Sequence, residues 1–108
     1  MNHRTFWVFL GLSVLLHACS PPAPQNPAVD LPTNRYNVAF LIMDGVYNTE
    51  LTAPYDIFQH TIFREGIKAM NVFTVANTLE PIRSFEGLRV LPDYNYHLPG
   101  LPDIDILV

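Results

Sequence analysis

Glu50 is the ionisable residue whose setting in the chain points to chemistry. It follows an apolar run at residues 38–43 and the pair Asp44-Gly45, and it stands at the entrance of a helical pattern. Ligands in open α/β sheets bind beyond the carboxyl ends of the strands. A carboxylate in that place can hold or relay a proton for a bound group. It can equally do no more than complement the positive end of the helix dipole. Asp44 and Gly45 are candidate pocket residues beside it, and the same pair is also a ready turn former. Cys19 is the single cysteine, which excludes an intramolecular disulfide and a cysteine metal cluster. His60 and His97 are the histidines outside the first 19 residues, and they share no ligand spacing with the acids, so no metal site is expected. The chain has no phosphate loop, dinucleotide fingerprint or serine nucleophile elbow, and no cofactor is expected.

The elements that must position Glu50 are a strand, a turn and a helix. Val38, Phe40 and Ile42 alternate with Ala39, Leu41 and Met43, so both faces of the first strand are apolar. That is the pattern of a parallel strand covered on both sides. Leu51, Tyr55, Phe58 and Ile62 then recur at helical spacing, and with Phe63 they are predicted to pack into the core. Asn48 and Thr49 are candidate caps. Pro54 leaves two arrangements open: a helix starting near Ala53 with Pro54 in its first turn, or one starting near Thr49 and bending at the proline. Gly66, after Arg64, is the predicted stop.

Residues 71–76 read as a second strand, completing a β–α–β crossover. Residues 82–85 and 88–91 flank Glu86-Gly87 as a hairpin. Residues 92–102 are rich in turn formers and read as a loop. Residues 103–108 turn apolar again, as a last strand. One good helix is too little to cover such a sheet. The expectation is therefore the N-terminal fragment of a larger α/β domain, aggregation-prone and inactive alone. The alternative is a small α+β domain that dimerises over its bare face.

The 108 residues hold 49% hydrophobic side chains, enough for a globular core. The net charge of −4, without a basic cluster, excludes a nucleic-acid partner. Residues 1–19 have the layout of an export signal: Arg4, then an apolar stretch from Phe6 to Leu16 that is too short to span a bilayer. The stretch ends in Leu16-His17-Ala18-Cys19, which resembles the lipobox of bacterial lipoproteins. The resemblance implies that Cys19 becomes a lipid-carrying N-terminus at the cell envelope. Ser20 in place of Asp then points to the outer membrane of a Gram-negative cell. Residues 20–34 contain five of the ten prolines and are predicted to be an extended, mobile tether. The folded domain is then residues 35–108.

From Arg35 onward the sequence resembles the ThiJ/PfpI family of the class I glutamine amidotransferase-like superfamily. The resemblance is carried by VAFLIMDGVYNTEL with TAPYDIF, by IRSFEGLRVLPDYNY, and by LPDIDILV. It is nearest to the branch with isonitrile hydratase-like enzymes and the ligand-sensing domains of some regulators. It implies a flavodoxin-like parallel-sheet sandwich, often dimeric. It also implies a reactive cysteine at a strand-to-helix elbow, hydrogen-bonded by a carboxylate from the loop after the first strand. Glu50 matches that carboxylate. The elbow cysteine belongs beyond Val108, and Cys19 does not match it. The implied function of a full-length form is a cysteine-dependent hydrolase or hydratase acting on a small molecule. The alternative is a non-catalytic ligand-binding or sensor domain of the same fold.

Overall fold

The computed structural model describes residues 20–108, so the stretch predicted to be an export signal, with Cys19 at its end, lies outside the described residues. The first strand, β1, spans Tyr36–Leu41. It is followed by helix α1, Asn48–Gln59, which runs into a 3₁₀ turn at His60–Phe63. Strand β2, Met70–Ala76, lies parallel beside β1 with Tyr36 opposite Met70 and Leu41 opposite Val75. Ile82–Arg83 (β3) and Arg89–Val90 (β4) form a separate antiparallel hairpin. Gly87 takes φ +97° in its turn, where a side chain would be strained.

Two short strands complete the main sheet. Tyr94–Asn95 (β5) pairs parallel with the end of β2, inside a stretch predicted to be loop. Its apolar content is too small for a strand signal, and the pairing comes from tertiary contact. Ile106–Leu107 (β6) pairs parallel with the opposite side of β1. The order is β5-β2-β1-β6, with every pair in this sheet parallel. The fold is thus α/β, as the sequence implied. Its β2-β1-β6 core has the 2-1-3 order that opens a flavodoxin-like sheet.

Each face of β1 meets a different cover. Val38, Phe40 and Ile42 are buried with Leu51, Ala76 and Ile82, and Tyr55 and Phe58 of α1 pack on them. The Phe40 ring lies 5.3 Å from that of Tyr55 and 5.8 Å from that of Phe58. Each such buried side chain contributes roughly 1.5–3 kcal/mol. On the other face, Ala39, Phe73, Val75 and Tyr94 are buried, with Leu31 and Leu101 packed over them.

The helix begins at Asn48 and contains Pro54 in its interior, so of the two arrangements the proline left open the early start is the one that occurs. Other expectations are corrected. Neither Asn48 nor Thr49 caps it with a side chain; the Asn48 N–H instead donates to Glu86 Oε2 at 3.1 Å, from the β3–β4 turn. Helical structure ends before Gly66, which takes φ +77° in the following turn. Ile62 and Phe63 are exposed, Phe63 at 74%, because the tightening to a 3₁₀ turn breaks the 3.6-residue register that would aim them inward. Leu41 and Met43 are also exposed, so the cover of β1 fails at its C-terminal end on that face.

Residues 20–34 are not simply a tether. Asn26 is 5% exposed. Its side-chain amide donates to the carbonyls of Asn95 and Leu98 at 2.9 and 3.1 Å, and its Oδ1 accepts from the Asn95 N–H at 2.7 Å. Its own N–H donates to the Pro99 carbonyl. Further on, the Pro32 carbonyl accepts from Asn71 Nδ2 at 2.9 Å. Polar side-chain bonding and Leu31 offset the ordering cost that proline-rich composition alone does not.

Candidate functional site

The turn after β1 is held by the hairpin. Asp44 Oδ1 accepts from the Arg83 N–H at 2.7 Å, and the Gly45 N–H donates to the Arg83 carbonyl at 2.8 Å. The Phe85 N–H donates to the Val46 carbonyl at 3.0 Å, and the Tyr47 and Phe85 rings sit 4.8 Å apart. Gly45 takes φ +88°, which only glycine adopts freely. Together with the Glu86 bond to Asn48, these contacts splint the strand-to-helix junction against β3 and β4.

The splint fixes where Glu50 stands. Glu50 lies in the first turn of α1, exposed, beyond the C-terminal end of β1. Among the described residues, no hydrogen bond or ion pair engages its carboxylate. β1 has β2 on one side and β6 on the other. The chain leaves β1 toward β2 on one side and later crosses to β6 on the other, so the strand order reverses between β1 and β6, and the crevice at this end of β1 is the topological switch point where such sheets bind ligands. Asp44 and Gly45 belong to the same turn, but Asp44 is committed to the Arg83 backbone.

A second feature was invisible in the sequence. A cleft of about 790 Å³ flanks α1, walled by Leu51, Tyr55, Val90 and Leu91, with Gln59, Thr74 and Asp93 among its polar groups. Asp44, Gly45 and Glu50 are not in its walls. The polar groups there satisfy the outer edge of β2. Asp93 Oδ2 accepts from the Thr74 N–H at 2.7 Å and from its hydroxyl at 2.9 Å, and the Thr74 hydroxyl accepts from the Asp93 N–H at 2.9 Å. Tyr55 Oη donates to the Val72 carbonyl at 3.2 Å. An Asp in a turn-rich stretch gives no sequence signal for this role.

Burial holds the Tyr55 phenol above its ordinary pKa of 10.0; the Gln59 hydrogen bond pulls it back, and Asp93 adds to the rise. Tyr94 is raised by burial and then by Asp93. A raised folded-state pKa means the folded chain holds these protons more tightly than the unfolded one. The stability linked to them is complete below pH 10 and is lost as pH climbs through the folded values. Tyrosinate absorbance should therefore develop late, with alkaline unfolding close behind. Replacing either Tyr55 or Tyr94 by Phe should remove part of the late amplitude; an unchanged titration curve in both variants would contradict the assignment.

His60 is an exposed helix residue whose Nδ1 meets the Asp56 carbonyl at 2.8 Å. His97 lies in the loop after β5, its ring tilted against that of Tyr96 with centroids 4.4 Å apart.

No family model and no curated protein matches the chain. Among solved structures it is similar to the crystal structure of a ThiJ/PfpI family protein from Pseudomonas syringae, with 19% identity and a TM-score of 0.45. That match covers 85% of this chain, which spans 36% of the length of the Pseudomonas chain.

Proposed function

We propose that this chain is the front part of an exported, lipid-anchored protein of ThiJ/PfpI type, with Glu50 as its proton-handling carboxylate. The observation that carries this reading is the position of Glu50: exposed, unengaged among the described residues, at the switch-point end of β1, on a junction splinted by the hairpin. In the full-length protein a thiol from further along the polypeptide meets that carboxylate. Glu50 then holds or relays a proton as the thiol attacks a small-molecule substrate, in a hydrolase or hydratase reaction. Asp44 and Gly45 shape the pocket floor. Acyl chains on Cys19 anchor the protein to the membrane, with the domain on the periplasmic face of the outer membrane in a Gram-negative cell.

Two measurements test this. Alkylation mapping of the full-length protein should find a reactive cysteine in its downstream sequence, and absence of any such cysteine would leave the ligand-binding alternative in its place. Replacing Cys19 with Ser should move the protein from the membrane fraction to the soluble fraction. An unchanged membrane fraction would reject the lipid anchor.

A further inference from the structure

The tether is shorter than its composition suggests, and its exit point has a direction. Asn26 is buried and bonded to Asn95, Leu98 and Pro99, so the folded body begins there. Asn95 pairs with Ala76, the last residue of β2, and the Tyr96 N–H donates to the Ala76 carbonyl. Asn26 therefore lies at the C-terminal end of the parallel sheet. From there the chain passes Leu31, which packs on the sheet face of Phe73 and Val75, and reaches the start of the strands, where Asn71 holds the Pro32 carbonyl.

The C-terminal sheet end is also the end that bears Glu50. β5 lies two strands from β1, about 10 Å sideways at the usual strand spacing. Six residues lie between Cys19 and Asn26, so the seven steps reach at most about 25 Å when fully extended.

We propose that Asn26 staples the chain so that the sheet end carrying Glu50 faces the lipid bilayer, with the opposite end pointing into the aqueous space. This inference rests on the lipid anchor at Cys19. Its physical content is separate: an unstapled chain would be free from Cys19 to Arg35, long enough for the domain to turn either way. The stapled chain has much less of this freedom, and the switch-point end of the sheet is presented to molecules held at the membrane surface.

The experiment uses the acylated full-length protein in phosphatidylethanolamine–phosphatidylglycerol vesicles carrying an acceptor dye on the headgroups. With any downstream cysteine replaced by Ser, a donor dye is placed on Thr49→Cys, at the Glu50 end, or on Glu65→Cys, in the turn leading into β2; both side chains are exposed. Energy transfer should be about twofold stronger from position 49, because a strand of this length sets the two ends roughly 20 Å apart. Inserting ten Gly/Ser residues between Ser20 and Pro21, which leaves the staple intact, should weaken transfer from position 49. Asn26→Ala should bring the two positions together.

Equal or inverted transfer in the stapled protein, with the acyl mass confirmed on Cys19, overturns the orientation alone. An insertion without effect overturns it as well. Absence of the acyl mass overturns the lipid anchor and the orientation with it. Should Asn26→Ala fail to fold, the insertion still decides the matter.

Discussion

Alanine at position 50 is expected to cut turnover by the full-length protein about 10²- to 10⁴-fold, the range for losing a positioned proton donor or acceptor. The same change should leave folding nearly intact. Glu50 is exposed and engages no partner among the described residues, so its structural contribution is confined to the dipole of α1. That contribution is about 0.3–1 kcal/mol at an exposed helix start. The two roles of Glu50 are thereby separated by magnitude. A dipole-complementing carboxylate would show a small loss of stability and proportionate activity. A proton-handling one shows a rate loss far outside what the stability change explains. Turnover and urea unfolding of the same preparation check this, and full activity in the alanine variant would remove Glu50 from the mechanism.

Asp93→Ala is expected to destabilise the fold by roughly 1–3 kcal/mol. The Asp93 carboxylate accepts from both the N–H and the hydroxyl of Thr74, a residue only 6% exposed. Losing that acceptor leaves a buried backbone N–H unpaired, which costs more than the net worth of an ordinary hydrogen bond. Asp93→Asn keeps a carbonyl oxygen in place and should lose much less. The damage should also change association. The carbonyl of Val72 and the N–H of Thr74 both point away from β1, toward the open edge of β2, and Tyr55 and Asp93 occupy them. Uncovering a strand edge invites pairing between chains. Concentration-dependent light scattering should therefore rise in Asp93→Ala. A variant within 0.5 kcal/mol of the parent by urea unfolding would show that the edge bond is dispensable.

Much of the local structure was legible because it follows from short-range rules. Period-two apolarity at residues 38–43 announced β1, and the recurrence of Leu51, Tyr55 and Phe58 announced α1. Gly87 marked the hairpin turn. The position of Glu50 was legible because its place relative to a strand end and a helix start is a matter of sequence spacing.

The misreadings have two causes. Asn26, Asn95 and Asp93 act through polar bonds to residues distant in the chain, and an isolated Asn or Asp in a turn-rich stretch carries no periodic signal. Ile62 and Phe63 failed as core residues because one tightened turn moved them out of register.

The sequence by itself determined the class of the fold, the order of strand, turn and helix, and the place of Glu50 at the turn between them. These depend on hydrophobic period and on backbone preferences, which neighbouring residues set. Only the tertiary structure decided that β6 lies on the far side of β1, that Asp93 seals the edge of β2, and that Asn26 ends the tether early. Each of these is a choice of partner across the chain, made by hydrogen-bond geometry and shared burial.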